Sequence, residues 1–338
     1  MKSKKLTIKK IAELAGVSKA TVSRVLNDYP HISDELREKV MRVVHETGYE
    51  RNHVARMLAS NRSNMIGLVI PSGAQFVFSD PYFPKLTEGI SRAINQHGLT
   101  LALFLFHSPE EGIHTVKNII ANGLFDGVII TGDRKNDYIL PIVLESDLRF
   151  VMIGRPEYGS EGNLNFIDVD NYIGGKIAVE YLLERGYRRI GVIGCSFNIA
   201  ANDRVRGYED VLRENGIPVD PNLMADGDFS MDSGAREMKK LLAHKPDAVF
   251  VITDTMALGA LRTLREHDIC VPDDIGIISF DDLPPAIQAD PQLTTIRQPI
   301  HEQGQLAVET MLQLIDNPER PANQVELPVE LIVRASTK

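Results

Sequence analysis

The chain has 338 residues, a formal net charge of -9, 43% hydrophobic side chains and two cysteines. That length suits two to three domains with a sizeable core, while Cys195 and Cys270 are too few for a disulfide framework or a four-cysteine zinc site. The opening MKSKKLTIKK lacks the apolar core of a signal peptide, and no stretch approaches the roughly 18 apolar residues of a membrane span; the expectation is a cytoplasmic protein with no membrane partner.

The overall charge hides an asymmetry. Residues 1–60 carry 12 Lys and Arg against 7 Asp and Glu, and the remainder carries 25 against 39. A basic head on an acidic body suits a small polyanion-binding module joined to a domain with another task.

In the head, Ile8, Ile11, Ala12 and Ala15 follow helical spacing, with Thr7 placed to cap the start. Gly16, Val17 and Ser18 interrupt, and a second helix is expected from about Lys19 to Leu26, with Val22, Val25 and Leu26 as its inner stripe. Ser33 and Asp34 open a third, in which Leu36, Val40, Val43 and Val44 face inward. Two short helices joined by a Gly-containing turn and braced by a third make the helix-turn-helix pattern, whose second helix reads base edges in the major groove. Lys19, Ala20 and Arg24 fall on the outer face, where Arg can pair bidentately with guanine and Ala can meet a thymine methyl. Ser18, Thr21 and Ser23 suit phosphate oxygens, which fix position rather than sequence. The alternative is an αα-hairpin in which Ser18 is only a helix cap.

The stretches TIKKIAELAGVSKATVSRVLN and ISDELREKVMRVVHETGY resemble the DNA-binding head of LacI/GalR transcription regulators, and NHVARMLAS is similar to that family's hinge segment. The resemblance implies DNA contacts by Thr7, Asn27, Asn52, His53 and Ala55 as well, and a hinge helix that folds on the operator. Leu58 stands at the position of a wedge leucine that opens a central pyrimidine–purine step. Such a wedge costs a few kcal/mol of unstacking and gains a bent, better-contacted duplex. The family usually has Pro immediately before Asn52; here Arg51 leaves the hinge start less rigid.

The body has another rhythm. Strand-like runs recur at 65–70, 99–106, 126–130, 149–153, 188–194, 247–252 and 274–280, with helical patterns between most of them. Continuous apolar runs alternating with amphipathic helices indicate parallel sheets covered on both faces, and the length favours two α/β lobes. Ligands in such folds bind beyond the carboxyl ends of strands. Those positions supply Asp80, Tyr82 and Phe83, then Thr131 and Asp133, Arg155, Asn198, Asn202 and Arg204, then Thr253, Asp254, Asp281 and Asp282. Rings that stack on sugar or base faces, beside groups that hydrogen-bond hydroxyls, make a site for a polyhydroxylated ligand. Asp80, Asp254 and Asp282 have a competing use as helix caps, and Tyr82 and Phe83 as core.

The family resemblance continues through DPYFPKLTEGI, FIDVDNYIGGKIAVEYLLERGYRRIGVIG, DRVRGY, DTMALGAL, IGIISFDD and LTTIRQP. It implies an α/β, periplasmic-binding-protein-like body of two lobes with parallel sheets and three crossovers, and effector contacts at Tyr82, Phe83, Arg155, Asn198, Asn202, Arg204, Thr253 and Asp281. The implied divisions are a head at 1–50, hinge and linker at 51–64, and a body at 65–338. One lobe would comprise about 65–163 with 292–322, the other about 164–291 with 323–338. Relatives that grip a sugar hydroxyl with Asp-Arg have Asp where this chain has Gly154, which leaves room for a larger saccharide. The IGRP wording is similar to members that answer to maltose-type α-glucosides.

The GGK at 174–176 lacks the remainder of a phosphate loop, and DVDN at 168–171 has Tyr172 where a calcium loop needs a ligand. The histidines show no metal-ligand spacing, and no catalytic motif is present. The sequence therefore predicts a homodimeric, non-enzymatic regulator, without cofactor or metal. It would bind a pseudo-palindromic, CG-centred operator and answer to a saccharide effector. A purine- or partner-protein-responsive regulator is the main alternative; a sugar-processing enzyme and a transport-type binding protein are others.

Overall fold

The computed structural model describes residues 6–26, 29–49, 62–132, 135, 137–157 and 163–338. The chain divides into two units, 1–63 and 64–338.

In the first unit α1 (Ile8–Ala15), α2 (Lys19–Leu26) and α3 (Asp34–Thr47) form in the expected order. Their limits follow local chemistry. The Thr7 side chain accepts the Lys10 N–H at the start of α1, and Ser33 accepts the Leu36 N–H at the start of α3. Gly16 and Gly48 end the same two helices in the left-handed region, at φ 60° and 59°, which a residue without Cβ adopts at no steric cost. Ile11, Ala12, Ala15, Val22, Val25, Leu26 and Val40 form the core, with Val43 and Val44 packed against it. Leu36, expected inward, is only half-buried and stays outside that cluster.

The second unit contains two six-stranded sheets. The first has the order β11-β5-β4-β3-β1-β2, where β1 is Met65–Ile70, β2 Thr100–Leu105, β3 Gly127–Thr131, β4 Phe150–Ile153, β5 Phe166–Val169 and β11 Gln324–Leu327. All of its pairings are parallel. The second has the order β12-β10-β9-β8-β6-β7, with β6 Ile190–Gly194, β7 Met224–Asp226, β8 Ala248–Val251, β9 Gly276–Asp281, β10 Thr294–Arg297 and β12 Glu330–Ile332. Only β12, antiparallel to β10, departs from the parallel arrangement. The chain thus crosses between lobes three times, after β5, β10 and β11.

Sheet membership corrects the expected lobe limits. The strand 166–169 belongs to the first lobe, whereas the sequence places the start of the second at about 164. Residues 294–297 belong to the second, although the first was expected to resume at 292. Residues 324–327 return to the first, although the second was expected from 323. The cause is common to all three: the strands read FIDV, TTIR and QVEL, so polar residues break the continuous apolar run that marked the other four-residue strands.

Helices cover both sheets. In the first lobe they include α4 (Ala74–Ser79), α5 (Tyr82–Gln96), α6 (Pro109–Asn122) and α7 (Leu140–Leu144). The second carries α8 (Asn171–Glu184), α9 (Ile199–Glu214), α10 (Met231–Leu242), α11 (Asp254–Glu266) and α12 (Pro284–Gln288), and α13 (Ile300–Asp316) returns to the first. Close approach of α8 and α9 places the candidate site. A Cβ at Gly175 would strike the Arg204 backbone, and one at Gly207 would strike that of Tyr172. The glycines that resembled a fragment of a phosphate loop therefore serve helix packing: Gly174 faces the Phe280 ring and Gly175 faces α9.

Candidate functional sites

On the head, Lys19, Ala20 and Arg24 are exposed along α2, while Val22, Val25 and Leu26 are buried beneath it. Ser18 receives the Thr21 N–H at 3.0 Å, and the two side-chain oxygens lie 2.8 Å apart. Ser18 thus caps α2, a role compatible with contact to a phosphate because a hydroxyl oxygen accepts more than one bond. Thr21 and Ser23 are half-buried, and Thr7 is exposed at the start of α1. Asn27, Asn52, His53, Ala55 and Leu58 lie outside the described residues.

In the body, a cleft between the two sheets opens beyond the carboxyl ends of their strands. It encloses about 890 Å³, counting the open mouth. Six of the eight expected effector residues line it: Tyr82, Phe83, Asn198, Arg204, Thr253 and Asp281. Tyr82 and Phe83 enter from α5, their rings edge-to-face at 5.3 Å, and they also pack against the first lobe's core. Both residues thus line the cleft and pack on the core at once. Asn198 caps α9 by accepting the Ala201 N–H, and Thr253 caps α11 by accepting that of Met256.

Arg204 and Asp281 meet on the second-lobe side. The guanidinium lies 3.6 Å over the Phe280 ring, donates from Nε to Asn171 at 2.8 Å, and donates from Nη1 to the Ile252 carbonyl at 2.7 Å and to Asp281 at 3.4 Å. The Asp281 carboxylate also accepts Gln298 Nε2 at 2.6 Å. Burial pushes its carboxyl well above the usual carboxylate range; Arg204 opposes the shift, and the charges of Asp254 and Asp80 add to it. Asp281 and Asp282 have φ of 116° and 56°, a costly conformation for residues with side chains. Such strain persists where its surroundings over-determine it, and it concentrates at functional sites.

Asp80 faces this pair from the first lobe. It accepts the Tyr82 N–H at 2.8 Å and lines the cleft. Burial raises its carboxyl too, opposed by the Tyr82 amide and by Arg204. Capping and lining are again both its roles. Asp254 and Asp282 neither line the cleft nor cap the helices that follow them, which start from Thr253 and Leu283. Asp254 is fully buried and accepts from Ser279, Thr295 and the Leu283 amide, while Asp282 pairs with Arg297 and Arg334. Both tie strands together outside the cleft lining. Thr131 lines the cleft; Asp133 lies outside the described residues.

Two expected effector residues do not line the cleft. Arg155 is buried and directs Nε and Nη2 to Asp203 on the other lobe, with Nη1 on the Pro156 carbonyl. Asn202 donates to the carbonyls of Ser196 and Asn198 and accepts from Lys135. Each joins parts of the site rather than facing its space. Gly154, expected to leave room for a larger saccharide, does line it, at φ 84°. The sequence reading missed Phe76, Phe197, Phe229, Asp168, Asn171, Gln298 and Gln303 in the lining. Phe197 was within reach of the strand-end rule, one residue before Asn198; Phe229 was not, because it follows the unrecognised β7.

A head with an exposed recognition helix and a two-lobed body with a polar cleft define a ligand-responsive DNA-binding regulator. Comparison with known proteins agrees. Residues 7–52 match the family described as "Bacterial regulatory proteins, lacI family", and residues 179–337 match "Periplasmic binding protein-like domain". The HTH-type transcriptional regulator CelR of Thermobifida fusca is 33% identical over 333 residues, 98% of each chain. A ribose operon repressor of Halalkalibacterium halodurans is 31% identical over 98% of this chain and 97% of its own. Among solved structures, a lac repressor dimer bound to operator and the anti-inducer ONPF superposes with a TM-score of 0.86 at 30% identity, over 99% of both chains. A CelR–cellobiose complex superposes with a TM-score of 0.78 at 31% identity, covering 98% of this chain and 99% of that one. The chain belongs to the LacI family of bacterial transcription regulators. These relatives are regulators rather than enzymes. Among the described residues no helix is long and apolar enough to cross a membrane, and no His, Cys, Asp and Glu cluster could hold a metal.

Proposed function

We propose that this protein represses transcription as a homodimer on a pseudo-palindromic, CG-centred operator, and that a neutral saccharide bound between its lobes changes its operator affinity. The observation that carries this reading is the convergence of Asp80 and Tyr82 from one lobe with Arg204 and Asp281 from the other around one cavity. Among the described residues three carboxylates line that cavity, at Asp80, Asp168 and Asp281, and one arginine, Arg204, which is already bonded to Asn171, Ile252 and Asp281. Such a lining opposes an anion and suits hydroxyls, which both donate and accept. The cellobiose held by CelR and the operon named for the ribose repressor support a sugar. The lac repressor dimer on its operator supports the twofold reading, since one helix-turn-helix reads one half-site.

In this reading Lys19, Ala20 and Arg24 read bases, and Thr7, Ser18, Thr21, Ser23, Asn27, Asn52, His53 and Ala55 hold the backbone or groove, with Leu58 as the wedge. Tyr82, Phe83, Asn198, Arg204, Thr253 and Asp281 hold the effector, for which a maltose-type saccharide is the first candidate. The effector must bind two states of the body unequally, typically by about 1–3 kcal/mol, for the sites to be coupled. Thermal unfolding of the full chain against mono- and disaccharides, sugar phosphates and purines tests this. A saccharide at a hundredfold excess over its Kd adds about 2.7 kcal/mol of stability. A shift with purines alone would replace the sugar reading, and no shift with any small molecule would favour a protein coregulator.

A further inference from the structure

The lining of the cleft is not uniform. Its buried part is mostly polar: Asp80, Arg204, Thr253 and Asp281 are all under 9% exposed, beside the apolar Ile153 and Val169. Phe197, by contrast, lines the same cavity with 41% of its surface exposed. A ring exposed to that extent inside a ligand cavity presents apolar surface to whatever occupies it.

The surroundings hold that ring in place. Phe197 meets Phe229 edge-to-face, with centroids 5.9 Å apart and planes at 74°, and Phe229 adopts a φ of 69°, uncommon for a bulky side chain. Asn202 ties the carbonyls on either side of Phe197, those of Ser196 and Asn198. The Phe197 carbonyl itself accepts the Lys135 N–H at 3.0 Å, a bond from first lobe to second. On the first lobe Phe76 also lines the cavity, braced edge-to-face on Phe83 at 5.9 Å.

Resting on the saccharide reading above, we propose that Phe197, with Phe76 across the cleft, forms a subsite for the second ring of a disaccharide, and that Asn202 is a positioning residue for Phe197. The inner ring takes the hydrogen bonds of Asp80, Arg204 and Asp281. The outer ring lays the C–H face of a pyranose on the Phe197 ring, where apolar burial replaces hydrogen bonding. Gly154 fits the same division, since it lines the cavity with no side chain to occupy it. Specificity for chain length then comes from the aromatic end and affinity for any sugar from the polar end.

Calorimetric titration of the full chain with glucose, maltose and cellobiose tests this. The expected result is that at least one disaccharide binds about tenfold or more tighter than glucose, and that Phe197→Ala removes that preference while leaving glucose affinity within about twofold, one buried ring face being worth at least a decade in Kd. Asn202→Ala should weaken disaccharide binding in the same selective way, by less. Phe197 is exposed enough for the substitution to leave the core intact, which an unchanged melting temperature verifies. Equal affinity for glucose and both disaccharides, or an equal loss for all ligands in Phe197→Ala, overturns the subsite and leaves the saccharide reading standing. Failure of the parent protein to bind any of the three overturns the subsite, and the purine and sugar-phosphate arms of the unfolding panel then decide whether the saccharide reading falls with it.

Discussion

In the head, seven apolar residues make the buried core, and every described candidate for DNA contact is exposed or half-buried. In the body, four of the six cleft residues expected to hold the effector, Asn198, Arg204, Thr253 and Asp281, are themselves buried. The proposed partners account for the difference. A polyanion is gripped by solvent-facing cations and hydroxyls whose counterions are released on binding, so the head needs only a small scaffold under a polar face. A small neutral ligand offers no net charge, and affinity must come from dipoles already oriented in a water-poor space. The body therefore supports a network in which Arg204 and Asp281 are each fixed before a ligand arrives.

Substitutions can separate the two regimes. The largest effect is expected from Ile11→Ala in the head, where truncating one fully buried side chain costs about 2–5 kcal/mol. Operator binding and the head's own unfolding transition should collapse while calorimetry shows the body's transition unmoved; a body that melts earlier would show that the units are not independent. Asp281→Asn should weaken saccharide binding about tenfold or more, because the buried carboxyl that accepts from Arg204 and Gln298 is replaced, with operator affinity in the absence of sugar kept. A variant that still responds normally would remove Asp281 from the site.

Arg24→Ala should cost about 1–3 kcal/mol of operator affinity and relax preference at one base pair, leaving saccharide titrations unchanged. A uniform loss on all sequences would instead assign Arg24 to a phosphate. The smallest effect concerns pH. Burial raises the Asp254 carboxyl from 3.8 to about 7, so between those values the folded body holds a proton that the unfolded chain has released. The stability from this group is complete below its unfolded value and lost as pH rises through about 7. Between pH 5.5 and 8 this group should cost the body up to about 2 kcal/mol, and Asp254→Asn should remove that share of the slope and leave what Asp80 and Asp281 contribute. A flat profile in the parent would mean that Ser279, Thr295 and the Leu283 amide keep Asp254 ionised throughout.

The head was legible almost to the residue because its helices are bounded by side chains that act locally: Thr7, Gly16, Ser33 and Gly48 each complete or end a turn. The long strands were legible as apolar runs, and the strand-end rule reached Asn198, Arg204, Thr253 and Asp281. What escaped depended on partners distant in sequence. Strands β5, β10 and β11 mix apolar with polar residues, and β10 is half threonine, its buried polar groups satisfied by Asp254, Ser336 and Thr337. Arg155 read as an effector ligand because nothing near it announces Asp203, 48 residues on. Phe229 could not be placed without first recognising the three-residue β7.

Residues 324–338 return to both lobes. They supply β11 at the edge of one sheet and β12 at the edge of the other, and the buried Ser336 bridges Ile277 and Thr294. A frameshift or proteolytic nick near residue 323 would thus strip both lobes together, and no single splice can exchange one lobe for another. The head ends at one joint, near residue 63. One recombination event can therefore give such a chain a new operator, whereas a new effector must be reached by substitutions inside an undivided body.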